Sequence, residues 1–76
     1  MPATLGSRVA RTRLKLNMYQ AELAEKIGVS RTQVSNIERD ESETSVETLR
    51  GLSRALGVSA DFLLGIRRRR TKSNSV

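Results

Sequence analysis

Cysteine and histidine are both missing from this 76-residue sequence. With them go disulfide staples, thiolate and imidazole metal sites, and the commonest general base of enzyme chemistry. Aromatic residues are nearly absent too: Tyr19 and Phe62 are the whole supply. With no alternating β-branched stretch beside them, strands have little support. No apolar run approaches the roughly 20 residues of a membrane span, and the N-terminus lacks the basic-then-apolar pattern of a secretory signal. The expectation is one small, soluble, intracellular, all-α domain, near the lower size at which packing alone sustains a core. Serines and carboxylates occur, but no activating base accompanies them, so an enzyme is not expected. Nothing calls for a metal, a cofactor, a small-molecule ligand or a membrane.

Acidic and basic residues are present in unequal number, giving a net charge of +6. Its distribution matters more than its size. Arg8, Arg11, Arg13 and Lys15 make the first segment basic, while Asp40, Glu41, Glu43 and Glu47 make a later one acidic. Arg67 to Arg70 and Lys72 supply five of the six net units. Residues 1–66 therefore form a nearly neutral body, and 67–76 a basic tail whose composition reads as disordered. That tail has two readings, extra phosphate contacts or a merely solvated end. Net charge alone does not make the body a partner for a polyanion; geometry must do so.

Five helical segments can be drawn. The first spans about Thr4 to Lys15, with Leu5, Val9 and Leu16 on one side. The second runs from Gln20 to Ile27, with Leu23, Ala24 and Ile27 inward, and Gly28 follows where a left-handed backbone ends the helix. Ser30 opens the third, and its spacing to Gln33 is that of a reciprocal capping box. Val34 and Ile37 are the apolar side of that helix. Either Thr44 or Ser45 can cap the fourth, which carries Val46, Leu49, Leu52, Ala55 and Leu56 and stops at Gly57. Ser59 caps a short fifth helix, Ala60 to Leu64, closed by Gly65. The short connections predict a compact bundle.

The stretch QAELAEKIGVSRTQVSNIE, residues 20–38, carries the strongest signal. Ala24 is small where two helices must cross closely, Gly28 supplies the corner, and Leu23, Ile27, Val29, Val34 and Ile37 bury the inner faces. That order of small, glycine and large residues is the apolar template of a helix-turn-helix. On a wheel at roughly 100° per residue from Arg31, Val34 and Ile37 point inward near 300° and 240°. Thr32, Ser35, Asn36 and Arg39 fall on the other side with Arg31, between about 40° and 140°. Gln33 lies at the flank, where a role in the cap is preferred to a base contact. The outward face is polar and mostly short, which suits a helix entering a major groove about 12 Å wide. A solvated surface is the plainer meaning of such a face; the tight corner before it favours DNA.

With "QAELAEKIGVS", "IER" and "LSRALGVSADFLLG" in place, residues 5 to 66 resemble the Xre family of lambda-repressor-like helix-turn-helix proteins. The resemblance implies a five-helix domain that binds operator DNA, commonly as a dimer, with its third helix in the major groove. It places Arg31, Thr32 and Asn36 at base-reading positions, Ser35 beside them, and Gln20 at a backbone or outer-base contact. Tyr19, Arg39 and Arg11 are further candidates for the DNA backbone. It also pairs Arg13 with Glu38 as a buried structural ion pair. Two departures stand out. Asp40 occupies a position where the family often has glycine, and Tyr19 one where a serine or asparagine cap is common.

The function expected is therefore a sequence-specific regulator of transcription that binds double-stranded DNA, most simply a repressor on a near-palindromic operator. Its location would be the cytoplasm of a bacterium or the host of a phage. A homodimer would join through the fifth helix, where Phe62, Leu63, Leu64 and Ile66 exceed what so short a helix can bury. The same domain serves restriction–modification controllers and antitoxins. A protein-interaction module docking its partner on the third helix is the alternative from another class.

Overall fold

The computed structural model describes residues 3–66. The basic tail, 67–76, lies outside the described residues. Five helices follow in order: α1 (Leu5–Lys15), α2 (Gln20–Ile27), α3 (Arg31–Glu38), α4 (Val46–Leu56) and α5 (Ala60–Leu64). Among the described residues no helix is long and apolar enough to cross a membrane.

Side-chain caps begin four of the helices. Thr4 and Ser7 form a reciprocal box at α1: Thr4 Oγ1 accepts the Ser7 N–H at 3.1 Å, and Ser7 Oγ accepts the Thr4 N–H at 2.9 Å. Ser30 Oγ accepts the Gln33 N–H at 3.0 Å, but the Gln33 side chain makes no return bond, so half of the expected box is present. Ser45, not Thr44, caps α4, and Ser59 caps α5. Each such cap supplies an acceptor to an amide that the helix itself leaves without one. At α2 the device is reversed: Glu22 Oε1 accepts the Tyr19 N–H at 2.8 Å, so this helix is better anchored at its start than its tyrosine suggests.

Val9, Leu23, Ala24, Val34, Ile37, Leu52, Leu56 and Leu63 form the buried core. Every helix contributes to it, and Leu5, Met18, Ile27, Val29, Leu49, Ala55 and Val58 pack around the edge. Two expectations change here. Leu16 is 48% exposed because the helix has already ended: the chain turns at Asn17, which takes a left-handed φ of 54°, and Met18 packs against the core instead. Leu63 belongs wholly to the core, so it is unavailable to a seam between copies.

Gly28 ends α2 with φ 75°, a conformation that other residues adopt at a cost. The Val29 N–H then returns to the Ala24 carbonyl at 3.0 Å, tying the corner to the helix just completed. The end of α3 solves the same problem without glycine. Asp40 takes φ 58°, its N–H bonds the Ile37 carbonyl at 3.0 Å, and the Glu41 N–H bonds the Asn36 carbonyl at 2.8 Å. These two bonds are the Schellman closure of a helix. Asp40 holds the strained position because its carboxylate caps α1, accepting from the Gly6 N–H at 2.9 Å and from the Thr4 hydroxyl. The departure from glycine thus joins the end of α3 to the beginning of α1.

Candidate nucleic-acid interface

The outward side of α3 is built by burying the opposite one. Val34 is fully buried and Ile37 is nearly so. Their fixed positions leave Arg31 and Thr32 exposed, and Ser35 and Asn36 half-buried, all on α3. Of the expected readout residues, none is lost to the core.

Behind this surface stands a chain of polar contacts. Arg13 reaches from α1 to Glu38 on α3 with two parallel bonds, Nε to Oε2 at 2.7 Å and Nη2 to Oε1 at 3.1 Å. Its remaining Nη1 donates to the Met18 carbonyl at 2.7 Å. The two side chains are only 11% and 6% exposed, so the pair is largely buried, and its forked geometry satisfies both charges. Gln20 extends the chain: its Nε2 donates to Glu38 Oε1 at 3.0 Å, and its Oε1 accepts from Arg31 Nη1 at 3.1 Å. The Gln20 amide orientation follows from chemistry, since a carboxylate only accepts and a guanidinium only donates. Arg31 is thereby held to the start of α2 by a residue anchored in turn on the buried pair.

Arg13, Tyr19, Gln20, Ala21 and Arg31 line a shallow concavity between α1, the start of α2 and the start of α3. Tyr19 is 77% exposed at its edge, free to lie along a neighbouring surface. Arg39, the residue closing α3, donates to Asn36 Oδ1 at 2.9 Å and contacts Glu41 Oε1 at 3.3 Å. Arg11 is exposed on α1, apart from this set of bonds. The arrangement thus brings Tyr19, Gln20 and Arg31 together at one end of α3, and Asn36 and Arg39 at the other.

Several contributing residues escaped the sequence reading. The Met18 carbonyl and the acidic side chains of Asp40 and Glu41 contact Arg13, the Gly6 N–H and Arg39 respectively, partners that no periodicity reveals. Glu22 could have been found, because it stands three residues after Tyr19, the spacing of a capping box.

Fold and site together define a helix-turn-helix protein. The family model described as Helix-turn-helix matches residues 9–63, and the chain belongs to this Xre-like helix-turn-helix family. It is 43% identical over 60 residues to repressor protein C2 of Salmonella phage P22, covering 79% of this chain and 28% of that protein. It is 40% identical over 62 residues to the HTH-type transcriptional regulator ImmR of Bacillus subtilis (strain 168), covering 82% and 49%. A crystal structure of the P22 c2 repressor in complex with a synthetic operator superposes with a TM-score of 0.82 at 39% identity. That match covers 87% of this chain and the whole of the other. The chain thus spans less than two thirds of the length of either curated relative.

Proposed function

We propose that this protein regulates transcription by binding double-stranded DNA, as a repressor on a near-palindromic operator. Residues 1–66 act as the DNA-binding unit. The observation that carries the proposal is the outward side of α3, with Arg31, Thr32, Ser35 and Asn36 projecting from a helix anchored by Val34 and Ile37. The P22 repressor, whose complex holds operator DNA, supports the same reading.

In this account α3 enters the major groove, and the amides at the starts of α2 and α3 meet phosphates. Arg31 donates two bonds to guanine O6 and N7, Asn36 pairs with adenine N6 and N7, and the Thr32 methyl meets a thymine methyl. Ser35 adds a short polar contact. Tyr19, Gln20, Arg39 and Arg11 serve the backbone or an outer base. Two recognition helices about 34 Å apart would read the two halves of a site, which requires a homodimer. Phe62, Leu64 and Ile66, each roughly half exposed around α5, are the apolar surface for that contact. Such a protein works in the cytoplasm of a bacterium or a phage host, binding rather than transforming its partner.

Selection from a random duplex pool tests the proposal, because it reports specificity, half-site spacing and symmetry together. Binding to the selected duplex should fall steeply between about 50 and 200 mM salt, as phosphate-dominated association does. Failure to enrich any duplex would overturn the function proposed.

A further inference from the structure

Glu41 lies outside the readout surface, yet it closes a ring around one readout residue. Its backbone N–H donates to the Asn36 carbonyl at 2.8 Å, so the Schellman turn fixes its position relative to Asn36. Its side chain turns back, Oε1 lying 3.3 Å from Arg39 Nη2. The same nitrogen donates to Asn36 Oδ1 at 2.9 Å. Asn36, Arg39 and Glu41 are thus joined once through the backbone and again through side chains.

We infer that Glu41 is a specificity-determining positioning residue: it steadies Arg39, which fixes the order of donor and acceptor that Asn36 shows to a base. The inference rests on the DNA-binding reading above. A guanidinium has only donors, so the amide atom facing Arg39 must be the oxygen. One lone pair of Oδ1 is then occupied, which leaves the other lone pair and the Nδ2 donors, in a fixed order, for a base. An adenine edge offers the matching pair, an N6 donor and an N7 acceptor. An amide free to turn over would present the reverse order equally well and discriminate less. The Arg39–Glu41 contact is more than half exposed, so it adds little to stability. Its consequence lies in readout.

The test is Glu41→Gln in the full chain, with Glu43→Gln as a control for charge. Removing either negative charge strengthens binding to phosphates on every sequence alike. Only Glu41→Gln should also lower discrimination at one base-pair position in each half-site, by about two- to fivefold, the most that so exposed a contact can steer. Titrations against the selected duplex and its single-base variants read both effects, and melting temperatures of the two variants should match the parent. An equal shift on all duplexes with Glu41→Gln would overturn the inference while leaving DNA binding intact. Absence of duplex binding by the parent protein would instead overturn the function on which it rests.

Discussion

Gly6 puts helix propensity and packing in direct opposition. It sits in the first turn of α1, where alanine should be the better helix former by about 1 kcal/mol. The tertiary structure demands the reverse. A Cβ at Gly6 would lie 2.4 Å from the Ile37 carbonyl oxygen, 2.6 Å from that of Glu38 and 2.8 Å from Asp40 Oδ1. Ordinary carbon–oxygen contacts begin near about 3.3 Å, so the Ile37 carbonyl must retreat by roughly 0.9 Å. Two of the three obstacles are backbone at the end of α3, held by the Schellman closure. Overpacking of this kind costs about 1–3 kcal/mol, and retreat would also stretch the bond from the Gly6 N–H to Asp40. Packing outweighs propensity, and Gly6→Ala should destabilise the domain by about 1–3 kcal/mol. For a chain of this size that lowers Tm by at least about 4 °C. Thermal unfolding followed by circular dichroism measures it. A Tm at or above the parent's would refute the account, showing that α1 and α3 separate at little cost.

Glu38→Gln should cost about 3–5 kcal/mol in urea unfolding, because Arg13 is left as a buried charge with a neutral partner. A loss below about 1 kcal/mol would mean that the pair behaves as a solvated one. Arg31→Ala should change the ranking of operator variants at one base pair by about 1–3 kcal/mol, and an unchanged ranking would remove its assigned role. Ile66→Asp should shift sedimentation from a dimer to the 8.4 kDa monomer. If the parent sediments only as the monomer, with and without duplex, the seam on α5 is wrong.

The helix-turn-helix was legible because its determinants are local. Gly28 marks a left-handed corner, Ser30 stands three residues before the amide it caps, and Val34 and Ile37 recur at helical spacing. Each relation spans only a few residues, so chain geometry makes it almost independent of the rest of the fold. Leu16 shows where that locality stops being enough. Periodicity tells which side of a helix is apolar, but not where along its length a neighbour remains to cover it. Leu63 shows the same limit at α5, where apolar composition does not separate the residue facing the core from those facing outward.

By itself, the sequence determined the helices, the corner at Gly28 and the polar side of α3, because these follow from backbone preference and short-range spacing. The pairing of Arg13 with Glu38 was suggested by family resemblance, and the structure supplied its forked geometry and burial. Tertiary structure alone decided that Gln20 would bridge Glu38 to Arg31, that Asp40 would cap α1, and that Gly6 could carry no side chain. Those contacts join residues distant in sequence, and their directions are set by how the helices cross. Charge and hydropathy along a chain hold no record of that crossing; it emerges only when the helices bury their apolar sides against one another.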